Sequence, residues 1–132
     1  MGNNLQIRKK IILDTNFLLI PAQYKVDIFA ELDRLFPEET QICTLDKSLE
    51  ELDKVAREGR QKEKLQVKLI KALLKTQNIK IISVAQEGIV DDLLVDYAKQ
   101  GYIIATQDMG LKQRIKHNLV TLRQNKYLIF RE

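Results

Sequence analysis

Four short apolar runs, at residues 11–13, 41–45, 79–84 and 102–106, constrain this chain more than any other feature. Each is too short for a helix and nearly continuous in its hydrophobicity, which is the pattern of a strand buried on both faces of a parallel sheet. Between them lie segments whose apolar residues recur at helical spacing. Ile28, Leu32, Leu35 and Phe36 mark one helix over residues 27–36, stopped by Pro37. Leu49, Leu52 and Val55 mark a second, for which Thr44 or Asp46 is the expected cap. A long helical pattern runs from Arg57 to Lys75, with Gly59 dividing it from the helix before. A further helix is expected from near Gly88 through Leu93, Leu94, Tyr97 and Ala98, ending at Gly101. Residues 110–116 look helical, and 119–122 and 127–130 read as two short strands around the turn 123–126. Strands alternating with helices predict an α/β fold: a three-layer α/β/α sandwich on a mainly parallel, five-stranded sheet. At 132 residues, the chain is expected to be one domain, 1–132, with a core at about 9–130.

Composition narrows the chemistry. Cys43 is the only cysteine, so no internal disulfide and no cysteine-based zinc site can form. His117 is the only histidine, and in its lysine-rich stretch it is expected on the surface. Carboxylates, hydroxyls and amines are the groups left in number for catalysis. No apolar run approaches the ~20 residues needed to span a membrane. Residues 1–7 are polar and lack the apolar core of a signal peptide, and position six is Gln6 rather than the small hydroxyl of a myristoylation signal. A soluble, cytoplasmic protein with no membrane association is expected.

The net charge of +4, from 22 basic and 18 acidic residues, is compatible with nucleic-acid binding. Arg57, Arg60, Lys64, Lys68, Lys71 and Lys75 follow at steps of three or four and form one helical stripe roughly 80° wide. Two readings are open: a solvated face, or a stripe in which Arg60, Lys64, Lys68 and Lys71 touch RNA, with Lys112 in the last helix as a further contact. The apolar arc of the same helix, with Leu65, Val67, Leu69, Ile70, Leu73 and Leu74, is broad enough to suggest packing on another chain, as in a homodimer.

Acidic residues follow the strands. Asp14 comes after the first, Glu51 just beyond the second, Asp91 and Asp92 after the third, and Asp108 after the fourth. In a parallel sheet these carboxyl ends share one edge, so the four positions can converge. Singly, Asp14, Asp91 and Asp108 have a structural reading as helix caps, and Glu51 as a charge near a helix N-terminus. Together they repel, and a cation is needed to keep them all ionised. Oxygen ligands that leave room for water suit Mg²⁺ or Mn²⁺.

Ile-Leu-Asp-Thr-Asn-Phe-Leu at 12–18, Leu-Glu-Glu-Leu at 49–52, Asp-Asp-Leu-Leu-Val-Asp-Tyr-Ala at 91–98 and Ile-Ala-Thr-Gln-Asp at 104–108 resemble, in order and spacing, the PIN-domain nucleases. Within that family, the segments 108–116 and 122–127 look like the archaeal VapC-type branch and the eukaryotic nucleases that process small-subunit ribosomal RNA. Some of the latter carry an added cysteine-rich metal knot, which a chain with one cysteine lacks. The resemblance implies a divalent-metal ribonuclease in which Asp14, Glu51, Asp91 and Asp108 are the catalytic, metal-binding quartet. Asn16 and Thr106 would be its small polar supports. Glu50 competes with Glu51 and Asp92 with Asp91; the family places the glutamate directly before leucine, which favours Glu51, and in this branch both aspartates are expected near the metal site, with Asp92 as a support. Ribosomal-RNA processing is the role the C-terminal third resembles most. A toxin ribonuclease paired with an antitoxin, and a non-cleaving RNA-binding or ribosome-assembly module, are the alternatives.

Overall fold

The computed structural model describes residues 9–84 and 88–132, so the polar segment 1–7 lies outside the described residues. β1 (Lys9–Leu13) runs through the middle of the sheet, where Ile11, Ile12 and Leu13 are wholly buried. It pairs in parallel with β2 (Thr40–Leu45) on one side and with β4 (Ile103–Ala105) on the other. β3 (Ile79–Ile82) extends the sheet beyond β2, and β5 (Leu119–Arg123) extends it beyond β4, both in parallel. β6 (Tyr127–Arg131) then pairs antiparallel with β5.

The strand order is β3-β2-β1-β4-β5-β6, a mainly parallel sheet of six strands rather than five. The sixth strand enters because Gln124 and Asn125 adopt positive φ angles of 57° and 56°, the mirror-image turn whose twist lets neighbouring strands form a hairpin.

Alternation along each strand divides the core in two. Ile11, Leu13, Ile103, Ala105, Val120 and Leu128 join one cluster. Its other walls are α1 (Thr15–Leu18), α2 (Ile20–Tyr24), α3 (Ile28–Leu35), α4 (Asp46–Glu58) and α5 (Gln61–Thr76), through side chains such as Phe17, Ile20, Leu32, Leu52 and Ile70. Ile12, Cys43, Leu45, Ile104 and Leu119 face the opposite way, onto Leu93 and Leu94 of α6 (Val90–Lys99) and Leu111 of α7 (Met109–Ile115). The three layers are therefore α1 to α5, the sheet, and α6 with α7.

Several local expectations change. α1 and α2 are additional short helices between β1 and α3; Pro21 starts α2 and Lys25, with a left-handed φ of 57°, ends it. Neither Thr44 nor Asp46 caps α4. The Thr44 hydroxyl is buried and donates to the Leu13 carbonyl at 3.1 Å, tying β2 to β1. Asp46 lies inside the helix and accepts the N–H groups of Lys47 and of Val84, which fastens α4 to the chain beyond β3. The third strand stops at Ile82, and α6 begins at Val90.

Gly101 performs the expected termination. Its φ of +98° lets its N–H reach the Ala98 carbonyl at 3.0 Å while the Tyr102 N–H reaches Tyr97 at 3.2 Å. Tyr97 and Tyr102 meet edge-on at 5.0 Å, the apolar contact that accompanies this kind of helix end.

Candidate functional site

The strand order sets the location. From β1 the chain moves outward to β2 and β3, then crosses back to place β4 on the other side of β1. The carboxyl ends of β1 and β4 therefore flank the topological switch point, where open α/β sheets bind ligands. Asp14 follows β1 and Thr106 follows β4. The Thr106 hydroxyl donates to Asp14 Oδ2 at 2.7 Å, across the switch point.

Asp14 is 6% exposed, and its other oxygen accepts the Thr15 N–H at 2.8 Å, so it does cap α1. Burial is the largest influence on its carboxyl and raises it above the ordinary value, with the charges of Asp91 and Glu51 adding to the rise. The Thr106 hydroxyl and the Thr15 N–H act in the opposite direction.

Glu51 projects from the second turn of α4 and accepts the Thr15 hydroxyl at 3.1 Å. Thr15 thus touches both halves of the edge: its N–H holds Asp14 and its hydroxyl holds Glu51. Sequence reasoning did not single out this residue. Its position directly after the strand-ending aspartate, as a small hydroxyl-bearing side chain, was the available signal.

Asp108 caps α7, with Oδ1 accepting the Leu111 N–H at 3.0 Å. Its own N–H donates to Thr106 Oγ1 at 3.1 Å, so the Thr106 hydroxyl joins two of the acids. Asn16 Oδ1 accepts the Gln107 N–H at 3.2 Å, and Gln107 Oε1 accepts the Leu122 N–H at 2.9 Å. These bonds pin the loop after β4 between α1 and β5. Gln107 is a second supporting residue that the sequence did not mark.

Asp91 and Asp92 open α6, but neither caps it; the cap position is Ile89. The Asp91 carboxyl is raised by burial first and then by Asp108, with Arg114 opposing and Asp92 adding. Asp92 pairs instead with Arg114 of α7 at 2.8 Å. The charges of Asp91 and Glu51 act on Asp14, and that of Asp108 acts on Asp91, so the four acids lie along one edge of the sheet. Among the described residues, no three of these side chains lie close enough to cage an ion as they stand.

The basic candidates divide between two places, one stripe along α5 and a single lysine on the opposite layer. Arg60, Lys64, Lys68 and Lys71 belong to the α4–α5 hairpin, and Lys112 lies on α7 across the sheet. Lys64 donates to the carbonyls of Ala56 and Gly59 and so completes the end of α4, while Lys71 pairs with Asp53. Lys112 is half-buried, and burial, followed by Arg131, lowers its amine. Two leucines of the broad apolar arc, Leu65 and Leu69, are 56% and 46% exposed, whereas Val67 and Ile70 are buried. His117 is exposed ahead of β5, at the opposite edge of the sheet from the carboxylates.

A mainly parallel α/β sheet with carboxylates beside its switch point places acidic side chains where open α/β sheets bind their ligands. The chain belongs to the PIN like domain family, which it matches over residues 11–125. It is 34% identical over 125 residues to Ribonuclease VapC4 of Methanocaldococcus jannaschii, covering 89% of this chain and 93% of that one. It is 35% identical over 111 residues to the rRNA-processing protein FCF1 of Saccharomyces cerevisiae, covering 81% of this chain but only 54% of the yeast protein. The chain therefore spans about half the length of that relative. The structure of the PIN domain endonuclease Utp24 superposes with a TM-score of 0.72 at 25% identity, covering 90% of this chain and 88% of that one. Among the described residues, no helix is long and apolar enough to cross a membrane.

Proposed function

We propose that this chain is a divalent-metal-dependent endoribonuclease, a hydrolase acting at the edge formed by Asp14, Glu51, Asp91 and Asp108. The observation that carries the proposal is the hydrogen bond from Thr106 to a buried Asp14 at the switch point, with Asp91 and Glu51 acting on the same carboxyl. Membership of the PIN family supports it, as do relatives named as a ribonuclease, an rRNA-processing protein and an endonuclease.

The donor set fits Mg²⁺ or Mn²⁺. All four side chains offer hard oxygen, and their mutual repulsion is what a cation relieves. Mg²⁺ keeps several waters and needs only one or two direct carboxylates, so an open edge without a closed cage suits it. When bound, the ion supplies charge that lowers the pKa of a water and polarises a phosphate oxygen.

The residues themselves do the positioning. Thr106 and the Thr15 N–H fix the two Asp14 oxygens, the Thr15 hydroxyl orients Glu51, and the Leu111 N–H fixes one oxygen of Asp108. Asn16 holds the loop that carries Thr106 and Asp108. No histidine base is involved, because His117 sits at the other edge.

Arg60, at the cap of α5, and Lys68, on it, are the proposed RNA contacts, since Lys64 and Lys71 hold internal partners. The exposed Leu65 and Leu69 support a homodimer, for which sedimentation is the direct test. Ribosomal-RNA processing is the proposed role, with FCF1 and Utp24 in support. The similarity to VapC4 supports the alternative of a toxin with a protein antitoxin. Mapping cut sites on intact ribosomes and on precursor rRNA separates the two roles. Product chemistry tests the reaction: hydrolysis by activated water leaves a 5′-phosphate and a 3′-hydroxyl. A 2′,3′-cyclic phosphate would contradict it.

A further inference from the structure

Asp91 and Asp92 are consecutive in the first turn of α6, where a helix N-terminus favours negative charge at either position. By residue type and spacing they are interchangeable. One cation separates them. Arg114 Nη2, on α7, donates to Asp92 Oδ1 at 2.8 Å, across 22 residues of sequence and between the two helices of that layer. Long helical side chains lean toward the N-terminus of their own helix, so Arg114 reaches back along α7 toward the acidic edge rather than away from it.

The pair is open to solvent, with Arg114 47% and Asp92 59% exposed, and an ion pair this exposed contributes little to fold stability. Its geometric consequence is larger. The bond turns the Asp92 carboxylate toward α7, and Asp92 is the exposed member of the pair while Asp91 is half-buried against the edge.

We infer that Arg114 is a positioning residue that clamps Asp92 aside, so that Asp91 is the α6 carboxylate presented to the cation. The inference rests on the metal-nuclease reading above and adds to it the residue that decides between two adjacent acids. The single charge-assisted bond from Nη2 holds one oxygen of Asp92 on the α7 side. Without it, Asp92 is free to turn toward the edge and to share the place of Asp91.

The test is Mn²⁺ affinity of the full chain by titration calorimetry, without RNA, for wild type, D14N, D91N, R114Q, R114Q/D91N and R114K/D91N. Circular dichroism confirms that each variant is folded. D91N should weaken Mn²⁺ binding at least about tenfold in the wild-type background. In the R114Q background the same change should cost about threefold or less, because the freed Asp92 substitutes and the two sites are coupled. R114K/D91N should retain most of the wild-type loss, since an ammonium still pairs with Asp92. A merely structural role would lower the thermal midpoint of R114Q and leave the cost of D91N unchanged. An equal cost of D91N in both backgrounds, with D14N still abolishing binding, overturns the role of Arg114 alone. Absence of Mn²⁺ binding by wild type, or full binding by D14N, overturns the nuclease reading and this inference with it.

Discussion

Thr106→Val removes the single hydroxyl that joins two acids of the edge. Thr106 is wholly buried; its Oγ1 donates to Asp14 Oδ2 at 2.7 Å and accepts the Asp108 N–H at 3.1 Å. Valine has nearly the same shape, so no cavity opens and the loss is polar. The bond to a carboxylate contributes about 1.5–3 kcal/mol and the amide bond about 0.5–1.5 kcal/mol, which gives roughly 2–4.5 kcal/mol in all. For a chain of this size that is a fall in Tm on the order of 10 °C. Thr106→Ser keeps the hydroxyl and loses one buried methyl, at about 1 kcal/mol. Thermal and urea unfolding of the three proteins in EDTA measures the difference. T106V should also push the Asp14 carboxyl further up, because the Thr106 bond is the main influence holding it down. A T106V protein within about 1 kcal/mol of wild type, or a T106S protein as unstable as T106V, refutes the reasoning.

Three further outcomes are expected. The buried Asp14 carboxyl is raised above its ordinary 3.8, so it binds a proton more tightly folded than unfolded. Its contribution therefore favours the fold below that ordinary value and is lost as pH rises through the raised folded value; in EDTA, the stability of D14N relative to wild type should increase over that interval in urea titrations. Mn²⁺ at about a hundred times its Kd should stabilise wild type by roughly 2.7 kcal/mol at neutral pH and leave the unfolding of D14N unmoved. Gly101→Ala should cost about 1–2 kcal/mol by denaturant unfolding, entirely from its φ of +98°, because an added Cβ there meets nothing within 4 Å.

The sequence carried the layers and the location of the acids, because both follow from local pattern. Ile11, Ile12 and Leu13 form an unbroken apolar run, and they lie wholly buried at the centre of the sheet. Asp14 and Asp108 stand at strand ends, and a parallel sheet brings those ends to one edge. What was not legible depends on partners far along the chain. Thr106 meets Asp14 across 92 residues, and Arg114 selects Asp92 across 22. Thr44 looked like a cap by type, yet its hydroxyl serves a carbonyl 31 residues away, because the β1–β2 register sets it beside Leu13. α1 and α2 are too short for periodicity to reveal. The basic stripe shows the opposite limit: its spacing is regular, but Lys64 and Lys71 are occupied by a helix end and by Asp53, which no spacing rule anticipates.

The most direct measurement is cleavage of a structured ribosomal-RNA fragment by wild type and Asp14→Asn side by side, in Mn²⁺, Mg²⁺ and EDTA, with RNA binding measured on the same samples. Wild type should cut only with a divalent ion, and D14N should still bind RNA but not cut. Equal cleavage by D14N, or undiminished cleavage in EDTA, would contradict the metal-nuclease reading. Binding without cleavage by both proteins would contradict it as well, and would put the non-cleaving RNA-binding module in its place.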